Sequence, residues 1–331
     1  MFQSVLNALR YPIWQAPIAS LAGPELAASV SIAGGMGSMA LTWTEPDVAA
    51  FQIRQVLSQT ENPFFVNFAL AFSPVALEPA LKAGTRIVTF SWGDPQPYIE
   101  TVRAAGAYFG VQVTNIAGAR RAIEQGADFL ICQGNEAGGH VQSNRALWEL
   151  LPRIVDAACG VPVIAAGGIA RGQEIAKSLS FGAAGAILGT RFVATRESRA
   201  HEDYKRLLVN ATGETALTVC FDGGWPYAAH RVLRNSTLET WEASGSPAVG
   251  SRPGEGDIVA ATADGESIYR YEDTVPREGY TGDIEAMCLY SGTGCGAIAD
   301  VPPAAELVQR LWRECENAAG DRHPTAESEI D

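Results

Sequence analysis

The sequence predicts an α/β fold, a (β/α)8 TIM barrel with a C-terminal inserted cap region. Three observations carry this. Short apolar runs recur about every 20 to 30 residues in the first two-thirds of the chain. Most of them are apolar throughout rather than alternating, the mark of parallel strands buried on both faces. Amphipathic helical patterns separate them, and eight strand–helix alternations within about 200 residues fit a closed barrel better than an open doubly wound sheet.

The predicted strands are Pro12–Ile18, Gly35–Leu41, Phe64–Leu70, Ile87–Trp92, Tyr108–Val113, Phe129–Gln133, Pro162–Gly167 and Ala186–Gly189. The predicted helices are Pro24–Ala33, Glu45–Ser58 (with Thr44 as N-cap), Pro74–Lys82, Pro95–Ala105, Ile116–Gln125, Ala146–Ala158, Gly172–Phe181 and Thr195–Val209. Gly126-Ala127 and Gly182-Ala183 stop two of these helices. The first strand runs into Ala16-Pro17-Ile18-Ala19 without a GxGxxG turn, which weighs against a dinucleotide fold. Beyond Asn210 the rhythm breaks. Residues 210–240 read as helical, 243–282 as loops with a hairpin near Ser267–Tyr271, and Pro303–Asn317 as a closing helix. The expected organisation is a barrel over 1–209, a cap over 210–300, and a closing helix with an acidic tail over 301–331.

Composition narrows the function classes. The chain has 331 residues, 47% hydrophobic, and a net charge of −13, which suits a globular enzyme and argues against nucleic acid as a partner. No run approaches the roughly 20 apolar residues of a membrane span. The N-terminus lacks a basic region followed by a long apolar stretch, so a cytoplasmic location is expected. Six cysteines show no CxxC pair and read as reduced, structural thiols. Four scattered histidines do not make a multi-histidine metal site, and no metal is expected.

The strongest chemical signal is Gln133-Gly134-Asn135-Glu136-Ala137-Gly138-Gly139-His140, directly after the Phe129–Gln133 strand. Active sites of these barrels lie at the C-terminal ends of the strands. A glycine-rich loop there lets a ligand approach the backbone, and histidine is the side chain best suited to move a proton near neutral pH. The last two strands end in Gly167-Gly168 and Gly189-Thr190, where such barrels hold a phosphate on backbone N–H groups. Gln15, Asn67 and Gln133 place amides at other strand ends. Amides in a barrel mouth suit a planar heteroaromatic ring, and with a phosphate they point to flavin mononucleotide (FMN). Glu136 could orient His140 or pair with an arginine, and Trp225 with Tyr227 could form a lid or pack the cap.

These motifs resemble the nitronate monooxygenase (2-nitropropane dioxygenase) family. The resemblance rests on Pro12 through Pro17, Gln133 through His140, Ala165 through Ile169 and Gly189 through Phe192, and covers roughly residues 10–200. It implies non-covalent FMN, with Gly167, Gly168, Gly189 and Thr190 at its phosphate. Gln15, Ala16, Pro17, Asn67, Gln133, Gly138 and Gly139 would lie at or beside the flavin. It further implies His140 as catalytic base, with Phe90, Trp92 and Ser291 in the substrate pocket. The implied reaction oxidises a small nitroalkane or nitronate with O2 to a carbonyl compound and nitrite. The alternative on the same layout is an NAD(P)H-dependent FMN reductase of enoyl thioesters or quinones. Thr89 through Pro95 resembles the aromatic-Gly-x-Pro loop of the monooxygenase branch. Val141-Gln142-Ser143 departs from the family's Gly-Gly-His-x-Gly and bears on the substrate. The oligomeric state is left open, a homodimer being one option.

Overall fold

The computed structural model describes residues 2–223, 225 and 227–320. Helix α1 (Gln3–Ala8) leads into strand β1 (Ile13–Gln15), followed by α2 (Pro24–Ile32), β2 (Gly37–Ala40), α3 (Pro46–Leu57), β3 (Phe64–Ala69), α4 (Leu77–Ala83), β4 (Ile87–Ser91), α5 (Ile99–Ala104), β5 (Tyr108–Val113), α6 (Ile116–Glu124) and β6 (Phe129–Gln133). A two-residue strand β7 (Gly139–His140) precedes α7 (Leu147–Ala157), β8 (Val163–Ala166), α8 (Gly172–Ser180), β9 (Gly185–Leu188) and α9 (Thr190–Val193). Eight of these strands form one parallel sheet in the order β1-β9-β8-β6-β5-β4-β3-β2. A parallel bridge between Trp14 and Met36 joins its two ends, so the sheet closes into the predicted TIM barrel.

Local chemistry accounts for the helix ends. Pro24 and Pro46 open α2 and α3, where a missing N–H costs nothing. Asn115 caps α6 by accepting from Gly118 N at 2.8 Å. Gly126 and Gly182 lie just past α6 and α8 with φ of 83° and 86°, as their helix-stop reading required. The cap of α3 is Glu45 rather than Thr44, and its side chain makes no capping bond.

Two layers of apolar side chains hold the barrel. The outer layer packs strands against helices and includes Phe68, Phe90, Phe109, Leu130 and Leu151. The inner layer fills the barrel, with Trp14, Phe65, Phe129, Ile131, Ile164 and Ile187. Phe2 plugs the bottom, stacked on Phe129 with ring centroids 4.4 Å apart. This packed interior is the floor on which the site sits.

Past the barrel come α10 (Glu202–Val209), β10 (Thr215–Thr218), β11 (His230–Leu233), α11 (Ser236–Ala243), β12 (Ile258–Ala261), β13 (Ser267–Tyr269), β14 (Thr281–Gly282) and α12 (Ala304–Gly320). The helical reading of 210–240 is corrected here. β10 and β11 pair antiparallel, and only Ser236 onward is helical. Threonine and valine at the strand positions, with glycines and a proline between, oppose a continuous helix. The helix expected over Thr195–Val209 is confined to its second half, α10, capped by His201 accepting from Asp203 N at 3.1 Å, and residues 195–201 are not helical. The expected hairpin near Ser267 exists as β12–β13. β7 joins β11 rather than the barrel, so the loop after β6 becomes the edge of the β10-β11-β7 sheet.

Candidate active site

At the C-terminal ends of the barrel strands lies a cavity of about 1370 Å³, open mouth included. Its wall takes Ala16 and Pro17 after β1, Asn67 from β3, Gln133 from β6, and Gly138, Gly139 and His140 from β7 and its approach. Gly167 and Gly168 after β8, Gly189 and Thr190 after β9, and Trp92 after β4 complete the predicted residues that meet there.

Three predicted residues stand elsewhere. Phe90 is fully buried in the outer layer, 6.2 Å centroid to centroid from Tyr98 and 6.3 Å from Phe109, so it is not a pocket residue. The β3–β4 register explains this: Asn67 faces inward opposite Thr89, which leaves the Phe68–Phe90 pair facing the helices. Gln15 is also fully buried, outside the cavity lining. Its Oε1 accepts from Ser38 N at 2.7 Å and its Nε2 donates to the Ala16 carbonyl. Ser291 is buried behind the wall, with Oγ donating to the Gly292 carbonyl, while Gly292 and Gly294 reach the cavity instead.

The glycine loops pack backbone against backbone. A Cβ on Gly138 would come within 2.5 Å of Gly292 N, and one on Gly294 within 2.7 Å of the Gly168 carbonyl. Gly168 has φ of 70°, and a Cβ there would meet Glu136 Cβ at 2.8 Å and Thr293 Oγ1 at 2.9 Å. The Thr190 hydroxyl accepts from Gly292 N at 2.9 Å, tying the loop after β9 to the 291–294 segment. The first turn of α9 opens there with the N–H groups that a helix start leaves without intrahelical partners. The result is a backbone cradle with no acidic side chain among the described residues lining the cavity, which fits a phosphate. The amides of Asn67, Gln112 and Gln133 line the same cavity and fit a heteroaromatic ring. Arg191 does not face the cradle. Its side chain is buried and pairs with Asp300 at 2.6 Å.

His140 is set by residues the sequence did not mark. Its Nδ1 lies 3.2 Å from the Ala228 carbonyl, which can only accept, so the proton sits on Nδ1. Nε2 is then the basic nitrogen, and the Tyr290 hydroxyl donates to it at 3.0 Å. Asp273 Oδ2 lies 3.8 Å from the same nitrogen. Trp225 packs over the ring at 4.4 Å between centroids, and Trp92 meets it edge-on at 6.1 Å. His230, opposite His140 in the β7–β11 register, shares the Ala228 carbonyl through its own Nδ1 at 3.0 Å. Its Nε2 accepts from Phe221 N at 3.2 Å. Burial pushes the His230 pKa from 6.5 down to about 4, so that ring stays neutral. Burial likewise raises the Tyr290 hydroxyl well above the usual phenol range, keeping it a donor.

Among the described residues Glu136 makes no hydrogen bond to His140 and no close ion pair, and its charge acts on Arg231 only at longer range. Its two carboxylate oxygens accept from Leu147 N at 2.9 and 3.1 Å, at the start of α7. Gln142, in the segment that departs from the family pattern, is a hub. Its Oε1 accepts from Trp92 N at 3.3 Å and Gln112 Nε2 at 2.9 Å, and its own N–H donates to Gln133 Oε1 at 3.2 Å. Trp92 has φ of 59°, a left-handed conformation that a bulky residue adopts only when held there. All six cysteines are free, and Cys132 beneath the site is pushed up to about 12 by burial, with Glu136 adding to it, so it is no thiolate nucleophile. Among the described residues no cluster could hold a metal ion, and no helix is long and apolar enough to cross a membrane.

Comparison with known proteins follows this geometry. The family model for nitronate monooxygenase matches residues 2–80 and 73–314. The chain belongs to the nitronate monooxygenase family. A nitronate monooxygenase from Pseudomonas aeruginosa is 30% identical, over 93% of this chain and 97% of its own. A Mycobacterium tuberculosis dehydrogenase of a hydroxylated, methylated octahydro-indene carboxyl-CoA is also 30% identical, over 92% of this chain and 93% of its own. Among solved structures, nitroalkane oxidase from Streptomyces ansochromogenes superposes with a TM-score of 0.78 at 28% identity, covering 97% of this chain and 100% of that one. As a member of the nitronate monooxygenase family, the chain is an oxidoreductase on a TIM barrel, with a flavin as its cofactor.

Proposed function

We propose that the flavin is FMN and that the protein oxidises nitroalkanes, or their nitronates, with O2 to carbonyl compounds and nitrite. The observation that carries this reading is His140: a histidine on the cavity wall whose Nδ1 proton is fixed by a backbone carbonyl, leaving Nε2 as a base. Gly167, Gly168, Gly189 and Thr190 would hold the phosphate on backbone groups. Asn67, Gln133 and the backbone of Ala16 and Pro17 would flank the ring.

In this reading a nitroalkane sits against the wall formed by the touching rings of Trp92 and Trp225, which keep water from the reacting carbon. His140 Nε2 takes the acidic α-proton. The Ala228 carbonyl stays bonded to the Nδ1 proton and holds the ring in place, and Asp273 Oδ2 lies 3.8 Å from Nε2. The Tyr290 hydroxyl, a buried donor, is placed to hydrogen-bond a nitro oxygen once the lone pair it occupies is engaged. The flavin, when bound, supplies the electron transfer that links the nitronate to dioxygen.

His140→Ala tests this. The variant is expected to retain FMN and to turn over a preformed nitronate. It should lose turnover of the neutral nitroalkane by on the order of 100-fold or more, the usual worth of a general base. Full activity on the neutral nitroalkane would remove His140 from the catalytic role.

The carboxyl-CoA dehydrogenase relative favours a second reading, an NAD(P)H-dependent FMN reductase of enoyl thioesters or quinones. Anaerobic mixing separates the two. Rapid bleaching of the flavin by NADH or NADPH supports the reductase, and bleaching by a nitronate supports the monooxygenase.

A further inference from the structure

From His140 outward, four aromatic side chains form one continuous wall. Trp225 lies over His140, and Trp92 meets Trp225 with centroids 4.5 Å apart. Phe72 meets Trp225 edge-on at 5.2 Å, and Trp43 meets Phe72 edge-on at 5.2 Å. Trp43, Trp92 and Trp225 all line the cavity, and Trp43 ends the wall at its rim with 59% of its surface exposed. A tryptophan left so open at a cavity mouth keeps a large apolar face available.

The opposite test is charge. Among the described residues lining the cavity there is no lysine, arginine, aspartate or glutamate. A substituent carrying phosphate or carboxylate groups would find no ion partner on this wall, whereas a flat apolar one would find ring faces and edges along its length. The wall is also fixed in place. Trp92 sits in a left-handed backbone conformation whose N–H is held by Gln142 Oε1, and Gln142 is tied in turn to Gln112 and Gln133.

We infer that this wall is a specificity subsite for a planar aromatic substituent on the substrate, and that Gln142 is the positioning residue that sets it. The inference rests on the nitronate reading above and deepens it: the preferred substrates are aryl-bearing nitronates rather than the smallest alkyl ones. The departure after His140 then has a purpose, since a glycine in the loop would lack the amide that fixes Trp92.

The test compares kcat/KM for ethyl, hexyl and phenylethyl nitronate in wild type, Trp43→Ala, Trp43→Phe and Phe72→Ala, with flavin content checked by the visible spectrum. Trp43 and Phe72 do not touch His140. Wild type is expected to prefer phenylethyl over ethyl nitronate by on the order of tenfold or more, the scale of one or two aromatic contacts. Either alanine variant should erase most of that preference through KM rather than kcat, and Trp43→Phe should restore it. An unmoved ratio in both alanine variants, no preference in wild type, or an equal gain with hexyl nitronate overturns the inference. If wild type turns over none of the three, the nitronate reading fails separately. The subsite is then judged by quenching of tryptophan fluorescence with phenylethyl nitronate: saturable binding weakened in Phe72→Ala upholds it, and its absence overturns it.

Discussion

Replacing Gly168 with alanine is a sharp test of the proposed phosphate cradle. Any non-glycine residue at φ of 70° bears a left-handed cost of about 1–2 kcal/mol. Gly126, at φ of 83° with nothing within 4 Å of a built Cβ, carries that cost alone and serves as the control. At Gly168 the new methyl also lies 2.8 Å from Glu136 Cβ and 2.9 Å from Thr293 Oγ1. Overpacking of this kind costs about 1–3 kcal/mol. Glu136 cannot retreat freely, because its carboxylate is bonded to the start of α7. The loops therefore part, and a bound phosphate would have to draw them together again. The expected outcome is FMN affinity weakened by about 5- to 150-fold in Gly168→Ala relative to Gly126→Ala. Titration of apoprotein with FMN, followed by loss of flavin fluorescence, measures it. Equal dissociation constants in the two variants would refute the assignment of this loop to the cofactor phosphate.

Two more outcomes follow from the buried groups. His230 has its pKa lowered to about 4, so the unfolded chain binds the extra proton first as pH falls. Its contribution is fully present above pH 6.5, is lost progressively between 6.5 and about 4 and changes no further below that, a swing of about 3 kcal/mol at most. Denaturant titrations across that range should show the loss, and His230→Gln should flatten it; an unchanged slope in the variant would count against a buried neutral ring. Phe90→Ala should cost about 3–5 kcal/mol of stability as a core cavity. Its folded fraction should keep KM for the substrate, whereas a change in KM at full stability would return Phe90 to the pocket.

The barrel was legible because parallel strands buried on both faces write themselves as unbroken apolar runs, and all eight fell where those runs lie. The same unbroken character hid which face each residue takes. Phe90 and Asn67 belong to neighbouring strands, yet only their register reveals that one points out and the other in. Gln112 could have been found as a polar residue near the end of an otherwise apolar strand, and it lines the cavity. The glycine loops and His140 were readable because glycine and histidine are rare enough in such positions to stand out. Tyr290, Asp273 and His230 were not, since no period or spacing links them to His140; only pairing between distant segments does. The 210–240 stretch misled because its short strands carry too few residues to show alternation against a helical background.

The pairing of β7 with β11 has a consequence for how the site comes into being. The barrel strands and their glycine loops can assemble from neighbouring segments, each closing against the one before. His140 gains its fixed tautomer only when a carbonyl 88 residues further along the chain arrives beside it. Contacts of such long sequence separation form late. The floor of the cavity thus belongs to the barrel, while the partners of His140 and part of the wall, Trp225, Tyr290 and Gly292 among them, belong to the segment folded over it, so the setting of the histidine is completed separately from the floor beneath.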